Sequence, residues 1–183
     1  MSPAGCGVAA GPPDGPDGSP IIAEISKVGY SGTVMAADSS LSPSMEDYLE
    51  TILTLETKNR VARVKDIAAA LSVQMPSVTS ALKALKEKGL VNYEKNSYIV
   101  LTEQGKKIAQ SVTDRHFAVA GFLHKVLCLP VEEAQDTACR IEHVISPDIA
   151  RRLEHLTRFT EEELIDRHVD REKWRSIIDP EVK

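Results

Sequence analysis

The stretch from Val64 to Leu101 most limits what this chain can fold into. Residues 66–71 predict a short helix, Ser72-Val73-Gln74 a turn, and residues 76–86 a second helix. That second helix opens on Pro76, at a position where no backbone N–H is needed, and stops before Gly89. Ile67, Ala68 and Leu71 on the first helix face the same core as Val78, Leu82 and Leu85 on the second. Residues 90–94 and 98–101 are β-prone and flank the polar turn Lys95-Asn96-Ser97, as in a hairpin. A helix-turn-helix followed directly by a wing is the pattern these elements make.

The outward positions of the second helix carry small polar and cationic groups that can reach base edges and phosphates in a major groove. The candidate DNA contacts are Gln74, Pro76, Ser77, Thr79, Ser80 and Lys83, with Lys95 in the wing turn. A solvated helical hairpin would show the same polar face, but it would not be followed by a wing. Charge supports the DNA reading. From Lys58 to Lys95 there are eight Lys or Arg against three Asp or Glu, in a chain whose net charge is -5. A basic middle in an acidic protein suits a polyanion at that middle alone.

Residues 1–42 predict a disordered or loosely ordered tail, because the Gly- and Pro-rich run 11–20 holds neither helix nor strand. Ser42-Pro43 is a helix start, and Met45, Tyr48, Ile52 and Leu55 then form one apolar stripe. Thr102 is the N-cap of a long helix predicted over residues 103–129, with His116 in its middle. Pro130 ends it, and further helices are predicted over residues 131–144, from Ser146-Pro147, and from Thr160. Aromatics make up only 4% of the chain, which favours a helical core of aliphatic side chains. Cys6, Cys128 and Cys139 form no disulfide framework and no CxxC pair, as expected of reduced thiols in the cytoplasm. No apolar run approaches the roughly 20 residues that cross a membrane.

Cys139, Glu142 and His143 stand at i, i+3 and i+4, so on a helix they share a face. A thiol, a carboxylate and an imidazole side by side form part of a metal coordination sphere, and a folded core rarely requires them. Asp47 and Glu50 lie three apart near a helix start, where acids also serve simply to complement the dipole.

Taken in order, these pieces resemble the diphtheria toxin repressor and manganese transport regulator family of metal-dependent repressors. The resemblance spans residues 42–159. It rests on Met45-Glu46-Asp47-Tyr48-Leu49-Glu50, Pro76-Ser77-Val78-Thr79, Leu101-Thr102, Arg115-His116 and Cys139-Arg140-Ile141-Glu142-His143-Val144-Ile145-Ser146. Carried over position by position, it implies a metal site of Asp47, Glu50, His116, Cys139, Glu142 and His143. Asp47 and Glu50 match the manganese branch, whereas Cys139 matches the thiolate of the iron branch. Ala120 and Gln135 stand where the iron branch has ancillary ligands, so that second site is not expected.

The resemblance implies a mainly α fold. A winged helix-turn-helix over residues 43–102 would precede a helical metal-binding and dimerisation domain over 103–183, with no SH3-like domain after it. It also implies a cytoplasmic, homodimeric repressor, not an enzyme, acting on double-stranded operator DNA at metal-uptake genes. Mn²⁺ or Fe²⁺ would activate it, with Co²⁺ or Zn²⁺ able to substitute. Two other readings compete: a winged-helix regulator with a structural Zn²⁺ site, and a metallohydrolase with Glu142 as base.

Overall fold

The structure is a computed structural model that describes residues 41–94, 97–165 and 167–181. Of the 1–42 tail only the last two residues fall within it, and Lys95 lies outside the described residues. The first helix, α1 (Pro43–Asn59), opens as Ser42-Pro43 predicts. The Ser42 hydroxyl accepts from the Met45 N–H, and proline occupies the first turn. Arg60, with φ 64°, ends it in the left-handed conformation.

The helix-turn-helix follows as α2 (Val64–Ala70) and α3 (Met75–Glu87). α3 ends in a Schellman motif. Gly89 takes φ +72°, its N–H reaches the Lys86 carbonyl, and the Leu90 N–H reaches the Leu85 carbonyl, each at 2.9 Å. The wing strands are short. β1 (Val91–Asn92) pairs antiparallel with β2 (Val100–Leu101), with Val91 opposite Leu101. A single bridge from Ala62 to Ile99 widens the sheet. Leu49, Ile52, Ile67, Val78, Leu82, Leu85, Ile99 and Leu101 close one buried core beneath these elements. Glu56, at the far end of α1, accepts the Leu101 N–H at 2.9 Å and so holds the wing to α1.

Thr102 joins the wing to the helical half. Its hydroxyl caps α4 (Glu103–Gly121) by accepting from Gly105 at 3.1 Å, and it donates to the Gly89 carbonyl at 2.8 Å. The single helix predicted over 103–129 ends earlier. After Gly121 the chain widens into a π-helical turn, Phe122–Val126, and reverses at Cys128, where φ is 59°. His124 Nδ1 lies 2.8 Å from the Leu129 carbonyl at that reversal, a structural contact.

Next come α5 (Val131–Ile141) and α6 (Pro147–Phe159), the latter capped by Ser146. Thr160 does not start a helix, as its run of acids suggests. It is buried, and the chain continues through a π-helical segment, Thr160–Ile165. The new start is Asp170, which caps α7 (Arg171–Ile178). Trp174 on α7 donates to the Val126 carbonyl at 2.8 Å and docks that helix on the end of the π turn. Among the described residues no helix is long and apolar enough to cross a membrane.

The junction between wing and α4 requires glycine at 105. A Cβ there would stand 2.0 Å from the Leu90 carbonyl oxygen, a backbone atom that cannot swing aside. Gly105→Ala is expected to lower the unfolding free energy by about 1–3 kcal/mol or more, measured by urea denaturation. The helical propensity gained by alanine would offset only a fraction of that loss.

Candidate metal centre

Three separate elements meet around one buried carboxylate. α1 contributes Glu46, Asp47 and Glu50, α4 contributes Thr113, Arg115 and His116, and α5 with the turn after it contributes Cys139, Glu142 and His143. Glu142 is 0% exposed. Its Oε2 lies 2.6 Å from His116 Nδ1. Its Oε1 is buried without a hydrogen-bond partner; His143 Nε2 stands 3.4 Å away, near enough for charge attraction only. A buried carboxylate oxygen with no donor is costly unless a cation satisfies it.

The remaining donors sit on either side of Glu142. Cys139 Sγ is 3.7 Å from His116 Nδ1. His143 Nε2 is 2.9 Å from Asp47 Oδ1, and His143 Nδ1 is 2.8 Å from Glu46 Oε2. His116, Cys139 and Glu142 offer ligand atoms within 4.8 Å of one another, and so do Asp47, Glu142 and His143. The helix face expected of Cys139, Glu142 and His143 therefore divides in two, with Glu142 common to both halves. α5 ends at Ile141, so His143 departs from the turn beyond it.

Glu50 belongs to neither triad. Its Oε1 accepts from the Thr113 hydroxyl at 3.2 Å, on the edge of the cluster. Burial, and then the nearby Glu142 charge, push its carboxyl up to about 7, against the opposing pull of His116 and Thr113. At His143 burial alone would lower the imidazole. Hydrogen bonds to Asp47 and Glu46, with the charges of Asp47 and Glu142, outweigh it and push the group up to about 10. A mixed oxygen, nitrogen and sulfur donor set around an unsatisfied buried carboxylate fits a first-row divalent cation.

Two residues of this cluster had no role assigned from sequence. Glu46 stands beside Asp47 and Arg115 beside His116, and both are wired into the site: Arg115 Nη2 donates to Glu46 Oε2 at 3.0 Å and Arg115 Nε to the Glu142 carbonyl at 2.6 Å. No local pattern in the sequence marks either role.

In the winged unit, Gln74, Pro76, Ser77, Ser80 and Lys83 are exposed at and along α3. Thr79 is half-buried, and its hydroxyl donates back to the Met75 carbonyl at 3.0 Å. The starts of α1 and α3 open on one shallow groove of about 540 Å³ lined by Ser42, Ser44, Met45, Tyr48, Pro76, Ser77, Ser80 and Ala81. Lys86 ties α3 to the wing through the Tyr93 carbonyl at 2.8 Å. At the wing base Arg63 lies 5.1 Å above the Tyr98 ring, a contact with no separate signal in the sequence.

Both halves of the chain match known protein families. The family model of the iron dependent repressor N-terminal DNA binding domain matches residues 40–98. The model of the iron dependent repressor metal binding and dimerisation domain matches residues 102–170. An uncharacterized HTH-type transcriptional regulator of Methanocaldococcus jannaschii is 38% identical over 114 residues, 62% of this chain and 91% of that protein. The HTH-type transcriptional regulator MntR of Bacillus subtilis is 37% identical over 122 residues, 67% of this chain and 85% of MntR. Among solved structures, the manganese regulator SloR has a TM-score of 0.57 at 29% identity over 65% of this chain and 55% of SloR. ScaR with bound Zn²⁺ has a TM-score of 0.53 at 29% identity over 63% of this chain and 54% of ScaR. The chain thus spans little more than half the length of these solved structures.

The two raised pKa values at this site make the stability of the metal-free protein depend on pH. Both groups hold their protons more tightly folded than unfolded, so stability falls as pH rises. The Glu50 contribution is lost between 4.5 and about 7, and the His143 contribution between 6.5 and about 10. Calorimetry of chelator-treated protein should show the melting temperature dropping across both windows. In His143→Gln the drop above pH 7 should shrink, while Glu50→Gln should flatten the lower window.

Proposed function

Because this chain belongs to the iron dependent repressor family, we propose that it is a metal-activated transcriptional repressor of metal-uptake genes. It acts in the cytoplasm as a homodimer on near-palindromic double-stranded operator DNA, one half-site per subunit. Residues 43–102 form the DNA-binding unit and 103–183 the metal-binding and dimerisation unit. The relatives are transcription regulators, not enzymes, and the metallohydrolase reading loses its ground.

The observation that carries this reading is the meeting of α1 and α5 on Glu142. α1 is packed in the core of the winged helix-turn-helix through Leu49 and Ile52. Cys139, Glu142 and His143 belong to the helical half. Asp47, Glu50, His116, Cys139, Glu142 and His143 hold the ion, with Mn²⁺ or Fe²⁺ as the activating metals and Co²⁺ or Zn²⁺ able to substitute. A cation there supplies the positive charge that the clustered carboxylates lack. Asp47 and Glu50 on one side and Glu142 on the other repel when uncompensated, which loosens α1 from α4 and α5. Charge balance holds α1, and with it α3 and the wing, in one orientation. Metal must then bind the DNA-competent arrangement more tightly, and DNA must tighten metal binding by the same factor.

On the DNA side, Gln74, Pro76, Ser77, Thr79, Ser80 and Lys83 face the major groove, with Lys95 as a further contact in the sequence. Exposed Val144, Ile149, Leu156 and Phe159 on the helical half supply apolar surface for the dimer.

Fluorescence anisotropy on promoter DNA at fixed salt tests the mechanism. Demetallated protein should bind operator only after Mn²⁺, Fe²⁺ (anaerobically), Co²⁺ or Zn²⁺ is added. Glu142→Ala and His143→Ala should abolish metal-dependent DNA binding while sedimentation still finds a dimer. Equal DNA binding with and without metal would instead mark a structural site and a regulator that senses another signal.

A further inference from the structure

Glu46 Oε2 is shared by two donors, His143 Nδ1 at 2.8 Å and Arg115 Nη2 at 3.0 Å. Arg115 is 3% exposed and spends its other donors on the Glu142 carbonyl at 2.6 Å and the Ser111 hydroxyl at 3.2 Å. One guanidinium therefore grips both the backbone of Glu142 and the carboxylate that grips the His143 ring. The two nitrogens of that ring face different surroundings. Nε2 looks at Asp47 and Glu142, the other members of its triad, while Nδ1 looks at Glu46. A ring nitrogen that donates its hydrogen to a carboxylate cannot also offer a lone pair to a metal. Glu46 thus stands on the far side of the ring from the ligand cluster, although it adjoins Asp47 in sequence.

Resting on the metal-centre reading above, we propose that Glu46 is a positioning residue and not a ligand. It accepts the Nδ1–H of His143 and so presents Nε2 to the ion, and Arg115 holds Glu46 in register with Glu142. Carboxylates placed behind a metal-binding histidine fix its tautomer and ring orientation in this way. α1 consequently acts on the site twice, through Asp47 in front of the imidazole and through Glu46 behind it. A shift of α1 removes both at once.

The test uses the full chain with Glu46→Gln, Arg115→Lys and the double variant. Circular dichroism and sedimentation first check fold and dimer; if Arg115→Lys fails to fold, Glu46→Gln and the nitrogen spectra decide alone. Co²⁺ affinity, from competition with a chelator, should fall about ten- to a hundredfold in each single variant. The double variant should be no weaker than the weaker single, because the two residues act through one chain. Co²⁺ absorption bands and stoichiometry should match wild type. In Zn²⁺-loaded wild type, ¹⁵N spectra should show His143 protonated at Nδ1 and metal-bound at Nε2, with the Nδ1 resonance moved in Glu46→Gln. Metal on Nδ1, loss of a bound Co²⁺ in Glu46→Gln, or unchanged affinity would each overturn the proposal. Failure of wild type itself to take up Co²⁺ or Zn²⁺ would remove the metal-centre reading, and this proposal with it. Normal uptake by both wild type and Glu46→Gln would overturn this proposal alone.

Discussion

Glu142 places a carboxylate with no exposed surface close to two further acids, Asp47 and Glu50, that belong to a different helix. In water these groups would repel only weakly; in a buried site their repulsion and their lost hydration both grow. The protein meets this cost by several means. His116 is hydrogen-bond distance from one Glu142 oxygen, His143 is drawn toward the other, and Glu50 is pushed toward its neutral form. One oxygen of Glu142 nevertheless lacks a donor. A fold stabilised only by packing would exchange this residue for an apolar one of similar size. Its presence is intelligible when the positive charge comes from outside the chain.

That requirement becomes functional because α1 serves both halves of the molecule. Glu46, Asp47 and Glu50 lie on the side turned to α4 and α5, while Leu49 and Ile52 pack into the winged core. At its other end Glu56 grips β2. Residues three and four apart share a helix face, so a helix of this length can carry a ligand set and a core stripe at once. On the proposed reading, this one hydrogen-bonded rod carries a change at its first turn to α3 and the wing together. No loop needs to move independently.

Much of this was legible in the chain. The helix-turn-helix and its wing follow from helical spacing at Ile67, Leu71, Val78, Leu82 and Leu85 and from the turn before Tyr98, since periodicity and turn chemistry are local signals. The ends of helices were less legible. Thr160 looks like an N-cap followed by acids, but burial of its side chain favours continuing the helix with a widened turn. Gly105 gives no warning of its role, because the obstacle is the Leu90 carbonyl, which only the folded wing brings near. Glu46 and Arg115 were illegible for the same reason at longer range. Their partners lie 97 and 69 residues away for His143 and Arg115 against Glu46, and no local pattern encodes that meeting.

Cys139 adds a further constraint on any cation the site accepts. The thiol stands with His116 on one side of Glu142, and the harder Asp47 oxygen stands with His143 on the other. Soft donors favour later metals, and affinity alone rises toward Cu²⁺ across the first row. An ion satisfied by Cys139 and His116 alone would leave Asp47 paired only with His143 and would not itself tie α1 to the helical half. An ion that also draws on Asp47 joins α1 to the helical half. Discrimination on the proposed reading thus lies in how many of these elements an ion engages, and tight binding to the thiol side is insufficient for activation. Glu142, common to both triads, is the residue on which that discrimination depends.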